Sequence, residues 1–421
     1  KKIYKIDINK TDSNGFAQKE LVADLLNIAD PNNLGGNGTK NGVFTFPFVT
    51  IEDVLPLDKQ TLLVINDNNY PFSVGRTPGK VDNNEFIKIK LSQPLNLPTA
   101  FTEGVAAGEP TSNSAVLWTR TTNPITQQGL ATAVTAQVST DRNFASGVKT
   151  FAGETQSNRD YTIKLDATGL QSGTHYYYRF IAGDGNVSST GDFTTAPDPS
   201  ASVPVTFGFS GDVDGKWRPY TSLAGFQDTN LDYFVFLGDT LYETVTARSA
   251  ATADPFADPA QAKADYQRKY RENLESTNPG GFTGDQVLYS SQGNYILLDN
   301  HELGNKQFIN GGAPTGTPAG KGVDATDPAN DVNATGSYIH NTDGFKALLQ
   351  AYDDYQPIRE TTISAPADPR TDGTQKLYYA QQWGANEIFI NVDDRSYRDI
   401  RLKNACLLYT SDAADAEDSV D

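Results

Sequence analysis

Leu237-Gly238-Asp239-Thr240-Leu241-Tyr242-Glu243 follows directly on the apolar run Tyr233-Phe234-Val235-Phe236. The run is short, aromatic and β-branched, and it lacks period-2 alternation. It therefore predicts a strand buried on both faces of an α/β sheet. Ligands of such sheets gather at the carboxyl ends of the strands. Asp239 is then a carboxylate on a rigid element, aimed at a crevice. A Gly-Asp pair after a strand is also ordinary turn chemistry, so one instance does not make a site.

The same punctuation recurs three times. Residues 205–209 run into Ser210-Gly211-Asp212, residues 295–298 into Asp299-Asn300-His301-Glu302, and residues 388–392 into Asp393-Asp394-Arg395. Four buried-strand candidates thus each end in acid, and one adds Asn-His. Bare carboxylates brought together repel one another, so such a set converges only around a hard cation.

The 421 residues allow two to four domains of roughly 100–200 residues each. A net charge of −18 argues against nucleic acid, whose binders present basic faces. An anionic substrate gains nothing from that global field, so local cations must attract it. Cys406 is the single cysteine, which excludes a disulfide framework and an upstream thiolate metal site. An acidic, Thr/Asn/Gly-rich, nearly cysteine-free chain fits a periplasmic or extracellular setting. No apolar run approaches the ~20 residues of a membrane span. The sequence has no methionine and opens in a strand pattern without a signal peptide, so it reads as an internal fragment or a processed product.

The expected fold is multi-domain. Residues 1–93 show short alternating runs between Asn/Gly/Asp clusters, which predicts a β-rich, antiparallel segment with long loops. Residues 98–197 carry strand patterns around Trp118, around 133–138, at 161–165 and at 175–180. Their Leu-turn-Tyr arrangement at Gly169–Tyr176 suggests the tyrosine corner of immunoglobulin-like sandwiches. Trp118 and Tyr176 are core candidates, and His175, at a strand start, reads as structural. Residues 203–404 alternate strands with helical patterns, the mark of an α/β layer. Asp258-Pro259 opens a helix as cap and first residue, with Tyr266, Tyr270 and Leu274 on one face. Phe345, Leu348, Leu349 and Tyr352 repeat at helical spacing. Residues 311–335 are Gly/Pro/Asp-rich and aperiodic, expected to be a functional lid or disordered. Residues 405–421 lose every pattern and resemble translated adapter sequence, a non-native tail that leaves the α/β domain truncated near Asn404.

Gly211-Asp212, Gly238-Asp239-Thr240-Leu241-Tyr242 and Asn300-His301-Glu302, in this order and spacing, resemble the metallophosphoesterase motif set. With residues 393–398, they make 103–404 similar to the PhoD-like alkaline phosphatases, preceded by their fibronectin type III-like N-terminal domain. Residues 61–71 and 85–89 resemble the end of a phytase-like, esterase-like β-propeller. Asp67 and Asn68 there are either calcium or phosphate contacts or plain hairpin residues.

The resemblance implies a truncated, four-layer metallophosphoesterase-like α/β domain that hydrolyses phosphomonoesters or phosphodiesters with a metal-bridged hydroxide. It implies two or more metal ions, Fe3+ and Ca2+. Asp212, Asp239, Tyr242 and Asn300 would be their ligands, with Asp239 bridging. Tyr242 would bind as phenolate, which favours a ferric ion because a phenol of pKa ≈ 10 needs a strong Lewis acid to lose its proton at neutral pH. Asn300 would offer its carbonyl oxygen to calcium. His301 and Arg395 are the implied catalytic residues, His301 at phosphate or leaving group. For Arg395, phosphate contact and ion pairing with Asp393 or Asp394 stay open, as does a metal role for Asp214. Asp299 either orients His301 or ends the strand. The sequence departs from the family in carrying Asp212 where well-known members have Cys, and Asn300 where Asp is frequent. The family's last metal ligands, including a late His motif, are expected beyond residue 421. The competing reading is an extracellular binding module whose α/β part is calcium-stabilised and catalytically incomplete.

Overall fold

The computed structural model describes residues 1–11, 15–58, 60–68, 70–72, 74–95, 99–123, 126–243, 255, 257–275, 283–304, 343–367, 371–393 and 395–396. The expected lid at 311–335 and the tail at 405–421 lie outside the described residues. The chain divides into two compact units, Lys1–Thr99 with Asn123–Leu130, and Ala100–Thr122 with Ala131–Asp421. Among the described residues no helix is long and apolar enough to cross a membrane.

The first unit is antiparallel β throughout. Strands β1 (Lys2–Thr11) and β2 (Ala17–Asp24) form a ribbon. β3 (Ile28–Ala29), β4 (Thr39–Lys40) and β5 (Val43–Phe44) make a small sheet in the order β3-β5-β4. β6 (Thr50–Asp58), β7 (Thr61–Asp67) and β8 (Phe86–Lys90) pair as a meander. β7 alternates half-buried and buried positions along Thr61–Asp67, which places Leu62 and Val64 in a core with Phe46 and Phe48. Asn68 acts as a turn residue, its side-chain oxygen accepting from Tyr70 N at 3.1 Å.

The second unit begins with a sandwich. β9 (Val105–Gly108), β10 (Ser114–Arg120) and β13 (Thr162–Thr168) form one face. β11 (Ala133–Ser139), β12 (Lys149–Glu154), β14 (His175–Ala182) and β15 (Gly191–Thr194) form the other. Leu117, Val138, Tyr178 and Phe180 fill the space between them. The Tyr176 hydroxyl accepts from Gln171 N at 2.9 Å across the turn that precedes its strand. His175 is exposed and faces Asp192 at 3.2 Å, a surface contact.

β16 (Phe207–Ser210), β17 (Tyr233–Phe236) and β18 (Gly293–Ile296) are parallel. They are not a separate sheet. β18 pairs in parallel with β9 of the sandwich, so one six-stranded sheet runs β13-β10-β9-β18-β17-β16. β17 is buried on both faces, as its unbroken apolar pattern predicts. Phe234 and Phe236 pack toward helices α2 (Pro259–Leu274), α3 (Gly284–Ser291) and α4 (Asp343–Tyr355). Tyr233 and Val235 pack on the opposite face against Trp383 and Phe389. A four-residue helix, α1 (Thr221–Ala224), follows the β16 loop. Helix α2 starts as expected, with Asp258 accepting from Gln261 N at 3.0 Å and Pro259 in its first turn.

Two of the four strands expected to be buried are not. β16 is the edge of the sheet, and Phe207 and Phe209 are 48% and 62% exposed. All but Val392 of the run at 388–392 lies in β20 (Glu387–Asn391), which among the described residues pairs only with β19 (Tyr379–Trp383), as an antiparallel hairpin. Phe389 faces Tyr233 and Tyr295, while Ile388 and Ile390 are exposed. An apolar residue at every position does not tell a doubly covered strand from a singly covered one. The described α/β part is thus helices, sheet and hairpin in succession.

Candidate active site

The carboxyl ends of β16, β17 and β18 lie side by side, and each releases a loop that begins with acid. Asp212 and Asp239 both take left-handed backbone conformations, φ 61° and 52°. Gly238 between strand and acid has φ 100°, and a Cβ there would sit 2.4 Å from Cβ of Asp299. The β17 and β18 loops therefore approach more closely than any side chain at 238 would permit. Backbone bonds join the first two loops: Val213 N donates to Asp239 O at 2.9 Å, and Asp212 N to Gly238 O at 3.3 Å.

The side chains converge in the same place. The Tyr242 hydroxyl donates to Asp212 Oδ1 at 2.6 Å. His301 N donates to Asp239 Oδ1 at 3.0 Å, which fixes the third loop to the second. The His301 ring stacks on Tyr242, with centroids 4.0 Å apart and planes 29° off parallel. Its Nδ1 lies 2.5 Å from Glu243 Oε2. The structure thus brings Asp212, Asp239, Tyr242 and His301 into one constellation. Asn300 lies between Asp299 and His301 at the start of a short 3-10 turn, and its N–H donates to Asp299 Oδ1 at 2.8 Å.

The electrostatics are those of crowded acid. Burial pushes the Asp239 carboxyl up to about 8, and the neighbouring Glu302 charge adds to this. Burial also raises the Tyr242 hydroxyl above its ordinary value, followed by its hydrogen bond to Asp212 and the Asp239 charge. Burial opposes the charged form of His301, but the hydrogen bond and charge of Glu243 outweigh it, so the imidazole is raised.

Two residues of this site carry no role in the sequence reading. Glu243 holds His301 through Nδ1, the work that Asp299 was a candidate for; with Nδ1 occupied, Nε2 remains for a ligand. Glu302, fully buried, accepts from Asp239 N at 3.1 Å, Thr240 Oγ1 at 2.7 Å and Asp299 N at 3.0 Å, and also from Thr240 N. One carboxylate thereby fixes the backbone on both sides of the approach at Gly238. The signal was a charged residue inside each motif, Leu-Tyr-Glu and Asn-His-Glu, but each partner lies about sixty residues away in sequence.

Arg395 reaches the loop after β18. Its guanidinium pairs with Asp299 Oδ1 at 2.5 Å. Asp393 instead caps the local turn, accepting from Arg395 N and Ser396 N, and Asp394 lies outside the described residues. Asp214 is engaged as the cap of the turn at Gly215–Trp217 and pairs with Lys216 at 2.7 Å.

Among the described residues, no three His, Cys, Asp or Glu side chains are grouped so that they hold a metal by themselves. The oxygen donors nevertheless suit a hard cation. The proton shared between Tyr242 and Asp212 sits where a phenolate and a carboxylate would otherwise repel, and a strongly Lewis-acidic ion can replace it.

Comparison with known proteins places the chain in a family. Residues 90–197 match the family described as PhoD-like phosphatase, N-terminal domain. Residues 208–419 match the family described as PhoD-like phosphatase. The chain is 26% identical over 322 residues to alkaline phosphatase D of Bacillus subtilis (strain 168), covering 72% of this chain and 48% of that protein. It is similar to a solved structure of PhoD at 24% identity and a TM-score of 0.54, over 73% of this chain and 54% of the other. A purple acid phosphatase, PPD1 from yellow lupin (Lupinus luteus) seeds, matches at 12% identity and a TM-score of 0.37, over 77% and 48%. The chain spans about half the length of the curated relative it matches.

Proposed function

The chain belongs to the PhoD-like phosphatase family, and on that premise we propose that it hydrolyses phosphate esters, mono- or diesters, at the loops after β16, β17 and β18. The observation that carries the reading is the convergence of Asp212, Asp239, Tyr242 and His301 from three separated motifs. In it Asp212, Asp239, Tyr242 and Asn300 would hold two or more cations, with ferric iron suited to Tyr242 and calcium to Asn300. Cations bound there supply the Lewis acidity that lowers the pKa of an attacking water and neutralises the phosphoryl oxygens.

The rest is done by the chain itself. Glu243 fixes the His301 ring through Nδ1 and favours its protonated form. Nε2 then donates to a phosphoryl oxygen or to the leaving-group oxygen. Tyr242, stacked on the ring, limits its rotation. Arg395, paired with Asp299 next to Asn300 in the chain, is the cationic side chain that an anionic substrate would meet at the β18 loop. Asp212 is exposed, so the site is open to a ligand from solvent. The acidic, nearly cysteine-free composition supports an extracytoplasmic enzyme.

The test is hydrolysis of p-nitrophenyl phosphate and bis-p-nitrophenyl phosphate by the chain supplied with ferric and calcium ions. Turnover that falls at least ~100-fold in Asp239→Asn is expected, given what loss of a charged group costs such a site. Turnover that Asp239→Asn leaves intact removes these loops from the chemistry.

A further inference from the structure

Asn273 is a residue that no motif includes. It lies in the last turn of α2 and is 3% exposed. Its Oδ1 accepts from Arg218 Nε at 2.9 Å and from the Tyr220 hydroxyl at 2.9 Å. Its Nδ2 donates to Thr240 O at 2.9 Å. Arg218 and Tyr220 end the loop that starts at Asp212, and Thr240 directly follows Asp239. One buried amide therefore holds both acid-bearing loops from behind. The orientation of the amide is set by its partners, because the Arg218 guanidinium can only donate and Thr240 O can only accept.

From this we infer that Asn273 is a positioning residue for the cation site, fixing where Asp212 and Asp239 stand relative to each other. The inference rests on the proposed cation-dependent reading. Near the site the two loops are joined by main-chain bonds and by the Tyr242 hydroxyl on Asp212, a contact that a cation bound to both side chains displaces. Those bonds fix the hinge between the loops but leave their far ends to Asn273. Asp239 also has a strained backbone, φ 52°, which persists only where its surroundings over-determine it. Thr240 is held on every polar atom that could move with it: N and Oγ1 by Glu302, Oγ1 also by Gln356 at 3.1 Å, and O by Asn273. Of the Asp212 and Asp239 loops, Glu302 and Gln356 bond the second, whereas Asn273 bonds both. Partners that orient metal ligands from behind typically carry 10–100-fold of affinity or rate.

Asn273→Asp is the informative change. It keeps the volume and the oxygen that faces Arg218 and Tyr220, and it replaces the N–H toward Thr240 O with an acceptor. Terbium, a hard oxygen-seeking cation, is titrated into the full chain and followed by luminescence sensitised through Tyr242, alongside hydrolysis and the melting temperature. The expected result is a roughly tenfold or greater loss of terbium affinity and a fall in kcat at near-constant KM, with a native circular dichroism spectrum. Tyr220→Phe, which removes a single hydroxyl from the same amide, is expected to shift affinity in the same direction by a smaller factor. If Asn273→Asp melts early, Tyr220→Phe carries the decision. Parental terbium affinity and kcat in a folded variant overturn the inference. Asp239→Asn is the control for the reading beneath it. If that variant loses neither terbium nor turnover, the site itself is misplaced; if it loses both while the Asn273 and Tyr220 variants lose nothing, only the positioning role falls.

Discussion

At the scale of residues, the acids at the strand ends are separated by role according to burial. Asp212 stays exposed and Asp239 is sunk beside Glu302; a further acid, Asp285 in the first turn of α3, is buried outside this set. Among the described residues Asp285 Oδ1 has no hydrogen-bond partner, and burial raises the carboxyl to about 8 from 3.8, with only the Arg218 charge acting the other way. The folded chain thus binds this proton more tightly than the unfolded one. Its contribution to stability is fully present below the unfolded value and is lost as pH rises through the folded one. Asp285→Asn, which cannot ionise, is expected to match the parent at about pH 4 and to melt higher at about pH 9. The gain is ~2–4 °C for each ~1 kcal/mol recovered in a unit of this size. Parallel melting curves for the two proteins across that range would show that Asp285 is solvated or paired. The candidate ligands were legible in the sequence because each ends an apolar run, a local signal. Glu243, Glu302 and Asn273 were not, because each acts on a residue 33 to 63 positions away and nothing local marks it.

Elements show the same division. β17 and the start of α2 were readable, one from an unbroken apolar run and the other from Asp-Pro at a helix start. The status of β16 and β20 was not, because coverage of a strand's second face is a tertiary property. Nor does any local pattern announce that β18 pairs with β9, two strands about 190 residues apart. What permits that pairing is visible in the packing. Pro357, just past α4, places its carbonyl oxygen 1.9 Å from where a Cβ at Gly108 would be. Asn294 Nδ2 donates to Ala107 O at 3.0 Å, and Glu109 N to Asn294 O at 2.9 Å, closing the seam. Gly108→Ala is therefore expected to destabilise the second unit by about 1–3 kcal/mol through overpacking, or by more if the seam opens. Chemical denaturation measures it. An unchanged midpoint and slope would mean that the 357 segment is free to move away.

The whole second unit depends on that seam, and on a group of charges buried beside it. Arg120 of β10 is 2% exposed and contacts Glu103 at 2.7 Å and Asp160 at 3.2 Å, both from the sandwich. Asp160 also receives Arg271 of α2 and the Tyr355 hydroxyl of α4. Trp118, two residues before Arg120, donates its indole N–H to Asp354 O at 2.7 Å. These are the helices that reach the site, α2 through Asn273 and α4, by way of the residue that follows it, through Gln356. The sandwich is accordingly tied into the framework that holds the candidate-site loops. Replacing a buried ion pair wholesale with apolar groups can be neutral, but removing one partner leaves the others charged and desolvated at a cost of about 3–5 kcal/mol. Arg120→Met does the latter to Glu103, while Asp160 keeps Arg271. Because sheet and charges are continuous, the loss is not expected to stay in the sandwich. Near-ultraviolet signals from Trp118 in the sandwich and Trp383 in the α/β part, separated by single Trp→Phe replacements, should melt together in the parent and fall together in Arg120→Met. A sandwich that melts first, with the α/β signal preserved, would show two independent bodies and confine the role of Arg120 to its own sheet.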